Sequence, residues 1–101
     1  MTNDDKIEQK IQSKGLTAPR LTPELIDKCI ASENYYIFPA TTFTICLLTL
    51  KNGYNVFGES ACVSAENFDA EIGREIAKEQ AKQKVWALEG YLLRQGLHDA
   101  S

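Results

Sequence analysis

Glu71, Glu75 and Glu79 recur at every fourth position, a spacing that lines up on one helix face three carboxylates able to move protons or hold a cation. A metal or acid–base centre needs such carboxylates to converge with groups from a second element, preferably a histidine. The sole histidine, His98, lies near the C-terminus with no partner that spacing supplies. Each glutamate is followed three residues later by a base (Arg74, Lys78 and Lys82), and ion pairs along an exposed helix explain that pattern without catalysis. Cys29, Cys46 and Cys62 could supply a nucleophile only beside a base and with a depressed pKa. They sit among apolar residues without CxxC spacing, as reduced core thiols do. The chain has neither a phosphate-binding glycine loop nor zinc-ligand spacing. These residues predict no catalytic centre, no metal and no cofactor.

The scale of the chain agrees with one modest domain. Its 101 residues carry 44% hydrophobic and 25% charged side chains, ordinary globular values. A net charge of −3 disfavours a general nucleic-acid surface. The polar stretch from Met1 to Gly15 does not read as a signal peptide, and no apolar run approaches a membrane span. A cytosolic protein is the expectation.

The elements that would position any site are organised around a hairpin from Thr41 to Ala61, closed by Asn52-Gly53. Asn-Gly favours a two-residue type I′ turn. That turn predicts Lys51 opposite Tyr54, Thr49 opposite Val56, Leu47 opposite Gly58, Ile45 opposite Ser60 and Phe43 opposite Cys62, all on one face suited to a closely packed helix. The other face would then carry Leu48, Leu50 and Phe57 as an apolar cluster needing cover. Before the hairpin, residues Asn3 to Lys14 read as a weak helix stopped by Gly15, and Leu16 to Leu21 as a linker. Thr22-Pro23-Glu24 opens a short amphipathic helix to about Ser32, and Tyr35 to Phe38 reads as a short strand. After the hairpin, Ser64 or Asn67 can cap a long helix that Gly96 ends. Its apolar stripe runs through Phe68, Ile72, Ile76, Ala77, Ala81, Val85, Leu88 and Leu92. Gly73, Ala77 and Ala81 permit close approach to the sheet, and Trp86 and Leu93 fall on another side. The prediction is an α+β fold: a short helix, a three-stranded antiparallel sheet built on the hairpin, and a long C-terminal helix packed across one face. Residues 1–21 form a polar arm, 22–95 one domain and 96–101 a tail.

Two resemblances bear on function. The order of elements, with Arg74-Glu75-Ile76-Ala77-Lys78-Glu79-Gln80-Ala81, resembles the double-stranded-RNA-binding domain, which would use Arg74, Lys78 and Lys82 against phosphates. Glu75 stands where that pattern has a second basic residue, and the acidic balance disfavours nucleic acid. More specific are Phe38-Pro39-Ala40-Thr41-Thr42, Leu48-Thr49-Leu50-Lys51-Asn52-Gly53, Gly58-Glu59-Ser60-Ala61-Cys62, Asn67-Phe68-Asp69-Ala70-Glu71-Ile72-Gly73 and Trp86-Ala87-Leu88-Glu89-Gly90-Tyr91-Leu92-Leu93. These strings resemble the small phage and prophage proteins of the "gene product forty-nine-like" family. Ala87 stands where proline is expected in that family, and Ser64-Ala65 where Asp-Pro is expected.

The resemblance implies a phage-encoded accessory protein acting in the host bacterial cytoplasm, and brings no established active site. With no catalytic groups and surplus apolar surface, the expected role is binding a host protein or a small ligand. A homodimer is expected through Leu48, Leu50 and Phe57, or through Trp86 and Leu93.

Overall fold

The computed structural model describes residues 3–15 and 18–101. Helix α1 spans Asn3–Ser13, α2 Pro23–Cys29 and α3 Ala70–Asp99; strands β1 Ile30–Ile37, β2 Phe43–Leu50 and β3 Asn55–Ala61 form one antiparallel sheet in the order β1-β2-β3. This is the expected α+β architecture. Both α2 and α3 lie on one face of the sheet, and the whole measures 53 × 31 × 19 Å, two layers thick.

Local chemistry explains most element ends. Thr22 caps α2 by accepting from the Leu25 N–H at 3.1 Å, with Pro23 at the first helical position. Gly15, with φ of +67°, closes α1 and donates its N–H to the Gln12 carbonyl. The expected linker from Leu16 to Leu21 falls partly outside the described residues. Between β1 and β2, Pro39 and Ala40 occupy a tight turn in which the Thr41 N–H reaches the Phe38 carbonyl at 3.1 Å. Ala40 carries a positive φ of 60° there, as the third residue of a type II turn must.

Several boundaries differ from those expected. Helix α2 stops at Cys29 rather than near Ser32, because Ile30 already pairs with Leu50 and the chain enters β1 directly. Ladder pairing across β1 outweighs the turn propensity of Glu33-Asn34. The last helix is capped by neither Ser64 nor Asn67. Asp69 accepts from the Ile72 N–H at 3.0 Å, after a short 3-10 turn over Ala65–Asn67. Gly96 does not end it, and α3 continues through His98 to Asp99.

The largest difference is the register of the hairpin. Leu50 N–H bonds the Tyr54 carbonyl at 2.8 Å, and Gly53 N–H bonds the Leu50 carbonyl at 2.9 Å. The loop is therefore three residues, Lys51-Asn52-Gly53, with only Gly53 at positive φ (+91°). A type I turn followed by a left-handed glycine is the alternative to the two-residue turn. Asn52 supports it by accepting the Tyr54 N–H on its Oδ1 at 3.0 Å. The observed partners are Phe43 with Ala61, Thr44 with Ser60, Cys46 with Gly58 and Leu48 with Val56. One added loop residue shifts β3 against β2 by one position, and a one-residue slip exchanges faces.

The core consequently combines residues that the shorter turn would have separated. Thr44, Cys46, Leu48 and Leu50 from β2 face the helices together with Val56 and Gly58 from β3. They pack with Ile26 of α2 and with Ala77, Ala81 and Val85 of α3. The small residues of α3 allow the close approach expected of them, and Gly73 stands beside Thr44 and Ser60. Ile72, Ile76, Leu88 and Leu92 of the expected stripe are exposed instead. Thirty residues at 1.5 Å rise make α3 about 45 Å long, against about 26 Å for an eight-residue strand, so its C-terminal part runs past the sheet.

Candidate functional site: the open face and edges of the sheet

The sheet face away from the helices carries Tyr36, Phe38, Phe43, Ile45, Leu47 and Phe57. Register places them there, since each lies opposite another residue of that face: Tyr36 with Ile45, Phe38 with Phe43, Leu47 with Phe57. Tyr36 is 55% exposed, Phe57 50%, Phe38 42% and Leu47 37%. Tyr36 and Phe38 meet edge to face with ring centres 4.8 Å apart, and Phe38 and Phe43 are tilted at 5.6 Å. Such pairs hold aromatic rings in defined orientations. Glu59 is the one carboxylate, and no lysine or arginine accompanies it, among the strand positions that the register places on this face. Together the apolar side chains make a contiguous surface on the side of the sheet that the helices leave uncovered.

The two edges of the sheet are treated differently. In the β2–β3 ladder the narrow pairs include Leu50 with Tyr54, so Phe57 and Glu59 turn their backbone groups outward. Helix α3 answers both. Gln80 Oε1 accepts the Glu59 N–H at 2.6 Å, and the Lys84 ammonium donates to the Phe57 carbonyl. Lys84 Nζ also sits 4.0 Å from the centre of the Phe57 ring, a cation–π contact at the rim of the open face. In the β1–β2 ladder, Phe38 N–H bonds the Phe43 carbonyl at 3.2 Å, so Glu33, Tyr35 and Ile37 present their backbone groups outward. Among the described residues no side chain hydrogen-bonds to these groups.

The residues singled out from sequence are dispersed. Leu48 (0% exposed) and Leu50 (6%) belong to the core and cannot form a surface with Phe57, which points to the opposite face. The cause is the three-residue loop. Trp86 is half-buried against the core and lines a cleft of about 290 Å³ with Ile7 and Ile11 of α1, Leu21 and Pro23. Its indole N–H is buried and, among the described residues, has no hydrogen-bond partner. Helix α1 is held over this region by a two-pronged ion pair from Arg20 to Glu8, with Nη2 at 2.9 Å from Oε2. Leu93 is half-buried, whereas Tyr91 and Leu92 beside it are exposed on the overhanging part of α3.

The basic line is partly neutralised. Lys78 Nζ lies 2.8 Å from Glu33 and Lys82 Nζ 2.9 Å from Asp27, while Arg74 is half-buried. The Lys78 ammonium beside it holds the Glu33 carboxyl below its ordinary value, and Glu33 raises Lys78 in return. The pairs cross between elements rather than running along α3 from Glu71, Glu75 and Glu79.

Burial, not activation, governs the thiols. It raises Cys29 and Cys46 above the ordinary thiol value, and the Glu89 carboxylate adds to the effect at Cys29. Both lose nucleophilicity at neutral pH as a result. Cys62 donates to the Ser64 carbonyl at 3.1 Å. A second concavity, about 380 Å³, lies between α2, the hairpin loop and α3. Leu21, Leu25, Ile26, Cys29 and Leu50 make its apolar wall, with Lys28, Lys51, Asn52 and Glu89 among its lining. That volume reaches the lower end of the range for small-molecule sites. Among the described residues no helix is long and apolar enough to cross a membrane.

The fold is a two-layer α+β domain with one helical face and one open aromatic face. The chain belongs to the Phage protein (N4 Gp49/phage Sf6 gene 66) family, whose model matches residues 21–97. Comparisons with curated proteins and with solved structures returned no match.

Proposed function

We propose that this is a phage-encoded, non-enzymatic accessory protein that acts in the host bacterial cytoplasm by binding, and that it blunts a host or defence factor. The observation that carries this reading is the open sheet face, where four large apolar side chains are more than a third exposed around a rigid aromatic row. The occupant of that face is a host protein, with the 380 Å³ concavity beside α2 as the place for a small ligand. A phosphate backbone is the less suitable partner. Of the line Arg74, Lys78 and Lys82, the two lysines are already engaged by acids, and the open face offers aromatic stacking without a basic groove.

The test compares capture from infected bacterial lysate by the wild-type protein and by Phe38→Ser/Phe57→Ser, with native mass spectrometry for retained small molecules. A partner held by the wild type and lost by the variant supports the reading. Turnover of a metabolite by purified protein, or salt-sensitive binding of duplex RNA, would replace it. We also propose that the protein works as a homodimer.

A further inference from the structure

The edges of a sheet expose unpaired backbone groups, and proteins protect them with lysines, prolines, bulges or covering elements. Here β3 is protected and β1 is not. Gln80 takes the outward N–H of Glu59 and Lys84 the outward carbonyl of Phe57, interrupting the ladder that side would offer a further strand. Strand β1 contains neither lysine nor proline, and its only irregularity lies at its start, between Ile30 and Ser32. Ala31, Ser32, Glu33, Asn34 and Tyr36 are all exposed.

We propose that β1 is a dimerisation edge, on which a second copy of this chain pairs its own β1 antiparallel to make a continuous six-stranded sheet. The inference deepens the dimer reading above and rests on it. The outward groups belong to the odd-numbered residues Glu33, Tyr35 and Ile37, and a two-fold axis at Asn34 places Glu33 of each copy opposite Tyr35 of the other as a narrow hydrogen-bonded pair. In this register the only charged residue of β1 never faces itself. Glu33 also already carries its counter-ion, Lys78, at 2.8 Å within its own chain. Odd-to-odd pairing keeps the helices of both copies on one side of the sheet. The two aromatic faces then join across β1, with Ser32 beside Tyr36 of the other copy, and double the surface available to a partner.

The register makes Asn34 its own neighbour across the axis, at the roughly 4.5 Å Cα separation of a wide pair, within reach of a disulfide. Under mild oxidation with oxidised glutathione, Asn34→Cys is expected to form a covalent dimer that wild type, with its three native thiols, does not form. The Glu33 N–H points away from β2, so Glu33→Pro leaves the internal ladder intact while blocking the edge. In sedimentation equilibrium Glu33→Pro is expected to weaken the dimer at least tenfold with unchanged circular dichroism, and Glu33→Ala to leave it within about threefold of wild type. A dimer that survives Glu33→Pro and yields no Asn34→Cys cross-link, but is lost in Phe57→Glu, overturns the edge and assigns the contact to the open face. A wild-type monomer at every concentration up to the millimolar range overturns the dimer reading itself.

Discussion

Gly58 on β3 and Ala77 on α3 lie in direct backbone contact: a Cβ at Gly58 would overlap the Ala77 carbonyl oxygen and stand 2.5 Å from the Ala81 nitrogen. Neither obstacle is a side chain that could rotate away, so the helix itself would have to move. Gly58→Ala is expected to destabilise the protein by about 3 kcal/mol, the upper part of the range for overpacking a core. Urea unfolding followed by circular dichroism checks it. A loss under about 1 kcal/mol would mean that α3 does not sit this close to the sheet.

Thr44 of β2 is fully buried beside Gly73 of α3, and among the described residues its hydroxyl has no hydrogen-bond partner. An unsatisfied buried hydroxyl carries a desolvation penalty that an apolar group of the same shape avoids. Thr44→Val is therefore expected to stabilise the fold by about 1 kcal/mol, read as a higher urea midpoint with an unchanged slope.

Ala40 holds a left-handed backbone, φ 60°, at the third position of the β1–β2 turn. An L-residue with a Cβ is disfavoured there by about 1–2 kcal/mol, and glycine relieves it while adding chain entropy to the unfolded state. Ala40→Gly is expected to raise stability by about 0.5 kcal/mol in thermal unfolding. The sign is the informative part, since the same change in a regular strand destabilises.

The Glu33–Lys78 pair contributes a pH dependence of known direction. Its partner lowers the Glu33 carboxyl, so this contribution is fully present above the ordinary glutamate value and is lost as pH falls through the lowered folded value. Lys78 is raised, so its share is present below the ordinary lysine value and disappears as pH rises through the raised one. Both side chains are more than a third exposed, which limits the pair to under about 1 kcal/mol. Glu33→Gln is expected to flatten the acid limb of the stability profile while leaving the plateau near pH 7 lower by that amount.

What the sequence determined by itself was the kind of protein and most of its parts. Thr22-Pro23 as a helix start and the small-residue line Gly73-Ala77-Ala81 are local features, decided by a residue and its near neighbours. They reappear in the structure. The strings around Phe38-Pro39-Ala40, Gly58-Glu59-Ser60 and Trp86-Ala87-Leu88 already pointed to the phage family to which the chain belongs.

Tertiary structure decided the register. Asn52-Gly53 is compatible with both a two-residue and a three-residue loop, and the two differ little in local energy. They differ greatly in which side chains share a face, because side chains alternate along a strand. Only in the three-residue form does Leu48 share a buried face with Val56 while Gly58 meets Ala77 and Ala81. That choice sent Leu48 and Leu50 inward and Phe57 outward. At the edges, Lys84 and Gln80 reach the Phe57 carbonyl and the Glu59 N–H, whereas among the described residues no side chain hydrogen-bonds to the outward groups of β1.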